Sequence, residues 1–298
     1  MLTVGTIVGG GFRLVRDKPV AVLVWCLCYM AAMAVMSLAM GRTFGAMASA
    51  GKDPAAAMAQ MSSTMGTFLL VEFGMMILFV VLFTATQRAV LRPEQSGFAY
   101  IRVGMDELKM FALAFVLLIL LYVGMLIVGI VGAIIIGVVA VAAGPAAMGV
   151  SMIVLFCALI ALAIWFEVRV SLMFPLTLMT GNIAIGEGWR LSKGRFWALF
   201  GGYLVVGLIL LVLWIGVMAA TMGPYLAALS RIGSDPLAMQ QAMQAQMAEY
   251  ASITPQSILR LALSGLVGGL GMALIGGAVA TAAKELTTDR EGMAETFA

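Results

Sequence analysis

The chain has 298 residues, 63% of them hydrophobic and 10% charged, with a net charge of +3 and no histidine. Soluble domains carry about 25% charged residues, and 17 basic plus 14 acidic side chains are too few to cover the surface of a water-soluble fold of this length. The composition therefore excludes a soluble protein and makes lipid the solvent, while the missing histidine removes the commonest general base and metal ligand.

Residues 3–18 are basic and lead into an apolar run at 19–40. That run exceeds the roughly 7 to 15 residues of a signal-peptide core, so it reads as an uncleaved first span. Cys26 and Cys28 fall inside it, about 200° apart on a helix, and Cys157 lies in a later apolar run. None of the three belongs to a disulfide or redox motif, and all read as small apolar fillers. An outside loop at 41–64 contains GKDPAAAMAQM, with Asp53 placed as a helix N-cap and Pro54 as the first helical residue. A short surface helix is predicted there. Its Met58, Met61 and Met65 share a face, a pattern that suits an apolar surface first and a cuprous site second.

The second span is predicted at 65–87 and holds Glu72 about 10 Å from its outer end, where an ionised carboxylate is costly and points to a proton or ion site or to a snorkelling acid. Residues 94–108 form a second basic segment. The third span follows at 109–138, with Gly124, Gly129, Gly132 and Gly137 permitting close contact or bending, and the fourth at 147–175. Near the inner end of the fourth, Glu167 and Arg169 are two residues apart and so face different ways. A third basic segment at 183–195 precedes the fifth span, 196–222. The outside loop at 223–256 repeats the earlier pattern as GSDPLAMQQAM, with Met239, Met243 and Met247 on one face, and the sixth span occupies 257–283. Gly265, Gly269, Ala273 and Gly277 give that span a ridge of small residues suited to close helix packing, within the bundle rather than between chains. The apolar runs are continuous, as helices require, and do not alternate as barrel strands would. The expected fold is an all-α polytopic bundle of six transmembrane helices.

Thirteen Lys and Arg residues fall on the side of the N-terminus and four on the other. The positive-inside rule then places both termini in the cytoplasm. Three related segments, GFRLVRDKPVAVLVW from Gly11, GFAYIRVGMDELKMFAL from Gly97 and GWRLSKGRFWALFG from Gly188, each combine Gly, an aromatic and basic residues before a span. The chain thus reads as three repeats of an interfacial helix plus a two-span hairpin, with Phe12, Phe98, Tyr100 or Trp189 dipping into the headgroup layer.

The stretch from Arg169 to Gly201, with Arg169, Pro175, Trp189, Arg190, Leu191, Lys193, Gly194, Phe196 and Trp197, resembles a pattern of bacterial multi-span proteins, and Gly188 and Arg195 within it complete the candidate membrane-surface or structural motif. These are the family related to the membrane domain of glycerophosphoryl diester phosphodiesterases. The segment PEQSGFAYIRVGMDELK from Pro93 is similar to the matching part of their second repeat, whereas Met179 and Thr180 stand where that family often has a carboxylate. The resemblance concerns the membrane region and not the catalytic barrel, so it implies a structural or membrane-surface role for these residues and no phosphodiesterase activity.

No phosphate loop, nucleophile elbow, zinc motif or dinucleotide fingerprint is present. The expectation is a non-enzymatic scaffold or lipid-interacting bundle with no cofactor, no metal and no nucleic-acid partner, holding anionic headgroups of the cytoplasmic leaflet. The alternative is a transporter or channel for a small solute or ion, motivated by Glu72, the glycine-rich spans and the repeat. An intramembrane enzyme comes third, since no nucleophile and base can be paired.

Overall fold

A computed structural model of the chain describes residues 2–49, 54–232, 238–239 and 254–297. All regular structure among them is helical, and six helical stretches are long and apolar enough to cross a bilayer: Pro19–Gly41, Met65–Leu91, Phe98–Gly144, Ala146–Thr180, Phe196–Gly223 and Pro255–Asp289. Each predicted span falls inside one of them. The protein is an all-α, multi-pass membrane bundle.

Helix α1 (Val4–Asp17) starts at Thr3, whose hydroxyl accepts the amide of Thr6 at 3.2 Å, and ends before Pro19. Pro19 opens α2 (Pro19–Ser49), where its missing N–H is harmless. Pro54 likewise opens α3 (Pro54–Leu91). The short surface helix predicted at this point is instead the first part of α3, continuous with the second span. The Ala-rich sequence after Pro54 propagates a helix, and a lone Gly66 costs only about 1 kcal/mol. Asp53 and most of the second outside loop, including Met243 and Met247, lie outside the described residues, so neither methionine face is described as a whole.

Helix α4 (Met105–Val170) carries both the third and the fourth spans and is interrupted at Gly144, with φ 80° and ψ −177°. That backbone conformation is essentially open to glycine alone. It folds the helix back on itself, as the contact across the break shows: a Cβ added at Gly132 would lie 2.3 Å from Leu155 Cδ1. The three other third-span glycines noted in the sequence, Gly124, Gly129 and Gly137, have no such neighbour. Two short helices follow, α5 (Met173–Thr180), closed by Gly181 in the left-handed conformation, and α6 (Ile185–Ser192). The chain then enters α7 (Phe196–Ile232) and finishes in α8 (Pro255–Phe297).

Helix α8 is the axis on which α1, α2, α3 and α7 pack. Lipid offers no hydrophobic drive for helix association, so close approach of backbones must supply it. The predicted ridge does this within the molecule. Gly265 meets Met30, Gly269 meets the backbone of Cys26, and Gly277 meets Gly10 and Gly11 of α1, while Ala273 is fully buried. The α4 hairpin joins the bundle at one end only. Glu107, Met110, Leu113, Leu117, Val168 and Val170 are buried, but no described residue from 118 to 167 is. The hairpin therefore diverges from α7 and α8 and leaves a wedge of about 660 Å³ between them.

Candidate functional site

The end of the bundle that holds α1, the 92–104 connection, α5 and α6 is also the basic end, and it is where the polar side chains converge. Arg88 ends α3 and is 1% exposed. It forms an ion pair with Glu107 in the first turn of α4, itself buried, and Asp106 stands 3.7 Å away. Arg92, one turn further on, pairs with Asp106 at 3.0 Å and donates to the carbonyl of Leu178 at the end of α5. Lys109 donates to the carbonyl of Gly181 at 2.6 Å. Five charged groups, Arg88, Arg92, Asp106, Glu107 and Lys109, thus lock α3, α4 and α5 together.

The connection inside this cluster is not the interfacial helix expected at 94–108. It contains a 3₁₀ turn at Phe98–Tyr100 in which Ala99 (φ 48°) and Tyr100 (φ 60°) are left-handed. Neither is glycine, so both conformations are strained, and each carbonyl is held by a donor from another helix. The Trp25 indole donates to Ala99 O at 2.9 Å, and Arg88 Nη1 donates to Tyr100 O at 2.8 Å. Pro93, Gly97 and Gly104 break a helix here, and the Tyr100 ring, expected among headgroups, is buried in the protein beneath Lys18. Phe98 does project outward, 75% exposed. Beside the cluster, Gln87 is fully buried, and neither of its amide atoms has a hydrogen-bond partner among the described residues.

The residues singled out around the fourth and fifth spans divide into two groups. Arg169 lies over the Trp189 ring at 4.3 Å, and Trp165 meets that ring edge-on at 5.7 Å. Ser192 donates to the carbonyl of Arg169 at 3.1 Å. A Cβ at Gly188 would sit 2.9 Å from the Met173 backbone, so glycine there lets α6 press against α5, in which Pro175 is buried. Gly194 takes φ 80° to turn α6 into α7. These five residues, Arg169, Pro175, Gly188, Trp189 and Gly194, hold α6 in place. Arg190, Lys193, Arg195 and Trp197 are instead exposed, Trp197 at 78%.

On α1, Ile7, Gly10, Gly11 and Leu14 face the bundle, while Phe12, Arg13 and Arg16 face out. The glycine run at 9–11, weightless as a motif, marks the closest approach of α1 to α8: a Cβ at Gly11 would lie 2.5 Å from Leu274 O. Between α1, α3 and α8 a hollow of about 300 Å³ is rimmed by Arg13, Lys18 and Lys284, with Asp17 and Glu285. Glu72 sits elsewhere, on an exposed face of α3 beside Tyr29, Met75 and Met76, where it lines a hollow of about 280 Å³. All three cysteines are free thiols.

Comparison of the chain with protein-family models, with curated proteins and with solved structures found no match. The reading of the site rests on its own chemistry.

The charged cluster was missed in the sequence because Arg88, Arg92 and Lys109 there look like any cations flanking a span. A signal was present in Arg88 and Arg92, four residues apart, followed by the adjacent acids Asp106 and Glu107 at the next helix start.

Proposed function

We propose that the protein is a non-enzymatic bundle of the bacterial inner membrane that binds anionic lipids of the cytoplasmic leaflet through its basic end. One observation carries this reading. Three separate segments are each fixed to the bundle on one face and turn an aromatic and a cation outward on the other: Phe12 with Arg13 and Arg16, Phe98 with Arg102, and Trp197 with Arg190, Lys193 and Arg195. Exposed Phe and Trp rings of an interfacial segment insert at the boundary between headgroups and acyl chains, and each nearby Lys or Arg contributes about 1 kcal/mol of attraction to an anionic surface. The inner faces are packed through Gly188, Gly10 and Gly11 and through the Arg88 cluster, so the backbone segments that carry these cations are held against the bundle.

The test is the lipid that stays with the protein. Wild-type chain purified in mild detergent is expected to carry phosphatidylglycerol and cardiolipin enriched over the bulk membrane, read by mass spectrometry. Changing Arg190, Lys193 and Arg195 together to Ala should lower that enrichment by about threefold or more. An unenriched wild type, or a triple variant with the same lipid content, would remove the headgroup role.

A further inference from the structure

We propose that the wedge between α4, α7 and α8 is a binding site for lipophilic organic cations, with Glu167 as its counter-ion. The proposal is independent of the headgroup reading, which concerns a different surface.

The wedge opens where the second arm of α4 leaves the bundle, and its walls are apolar apart from three side chains, Glu167, Ser171 and Tyr203. Ser171 is one turn from Glu167 on the same helix face, and its hydroxyl is 3.0 Å from that of Tyr203. Glu167 is the one charged residue lining the wedge, and no basic side chain among the described residues pairs with it. Its neighbour Arg169 points the other way, onto Trp189. A carboxylate facing hydrocarbon is strongly disfavoured unless it is neutralised, which makes an intramembrane acid in a cavity a site that attracts positive charge.

The rest of the lining decides which positive charge. A small inorganic cation needs a shell of oxygen ligands, and two hydroxyls and one carboxylate on an apolar wall do not provide one. A lipid chain alone would fill the space but leave the carboxylate unanswered. The aromatic rings of Phe83, Phe174, Phe200 and Tyr203 line the same space, Phe83 and Phe174 meeting edge-to-face at 5.7 Å. Ring faces attract a diffuse, weakly hydrated cation. A volume of about 660 Å³ is that of a site for a drug-sized molecule. An apolar body with one delocalised positive charge satisfies the carboxylate, the rings and the apolar walls together, and it reaches the wedge from the bilayer.

The probe is tetraphenylphosphonium, measured by equilibrium binding to the full chain in phosphatidylcholine nanodiscs, whose zwitterionic lipid limits background adsorption. Saturable binding is expected. Glu167→Gln should weaken it by about tenfold or more, whereas Glu167→Asp, which keeps the charge, should stay within about threefold. The neutral triphenylphosphine oxide should bind at least about tenfold more weakly than the cation, and Glu72→Gln, remote from the wedge, should change nothing. Absence of saturable binding, equal binding by Glu167→Gln, or equal binding of the neutral compound would each overturn the proposal. The exposed position of Glu167 keeps its substitutions compatible with folding, and matched thermal melts of the variants verify this.

Discussion

Arg88 carries a full charge into a nearly dry position, and such a charge is tolerated only when its partners are fixed around it. Here the partners are the Glu107 carboxylate and the carbonyl of a left-handed Tyr100, so one guanidinium holds both an ion pair and a strained turn. Removing Arg88 leaves Glu107 buried and unpaired, and removing Glu107 leaves Arg88 with only the more distant Asp106, at 3.7 Å, as a carboxylate partner. Breaking a buried pair costs about 3–5 kcal/mol, whereas replacing both members by apolar residues of similar size is often close to neutral. Glu107→Leu and Arg88→Met are each expected to lower the thermal midpoint in detergent clearly, and the double variant to melt above either single one. A double variant less stable than both singles would show that Arg88 matters through the turn and not through Glu107. None of this was readable from Arg88 itself. Its partner is 19 residues away across a connection whose geometry depends on Ala99 and Tyr100, two residues with no sequence preference for a left-handed backbone.

Among the elements, α8 shows what the sequence does and does not disclose. Its small-residue ridge was legible because backbone contact in lipid requires Gly and Ala at four-residue spacing, and the ridge indeed meets α2 and α1. The opposite lesson comes from Gly124, Gly129, Gly132 and Gly137, which look equivalent in the sequence although only Gly132 is pressed against a neighbour. Packing partners decide this, and they are set by the tertiary fold. Gly269→Val, whose Cβ would fall 2.5 Å from the Cys26 backbone, is expected to destabilise the bundle by about 1–3 kcal/mol or more. Gly137→Ala, in open space on a helix, should be neutral or slightly stabilising. Detergent melting curves of the two variants give the comparison. The three basic segments divide in the same way. The amphipathic character of α1 and α6 was visible in their residue order, but the Pro and Gly residues around Phe98 turned the middle one into a clamp.

At the scale of the molecule, six spans bring the two ends of the chain to the same side, and five of the spans were delimited to within a few residues of the helical limits at one end or more because hydrocarbon demands unbroken apolar runs. The wedge was not foreseeable, since it arises from the angle between α4 and its neighbours and not from any residue. That angle has a mechanical meaning. The α4 hairpin is tied down at its base, through Glu107 to Leu117 on one arm and Val168 and Val170 on the other, and between those points no described residue is buried. Its first arm from Lys109 to the tip is about 50 Å long, well beyond a hydrocarbon layer of about 30 Å, and such a helix adapts by leaning. The hairpin is in effect a lever with its fulcrum among the buried charges and its free arm in the bilayer. Spin labels near the tip and on α7 should separate by several ångströms more, or less, when short-chain lipids replace long-chain ones in nanodiscs, and a distance independent of chain length would mean a rigid hairpin. A lever of this form makes the width of the wedge, and with it the room around Glu167, a property shared between the protein and the thickness of its membrane.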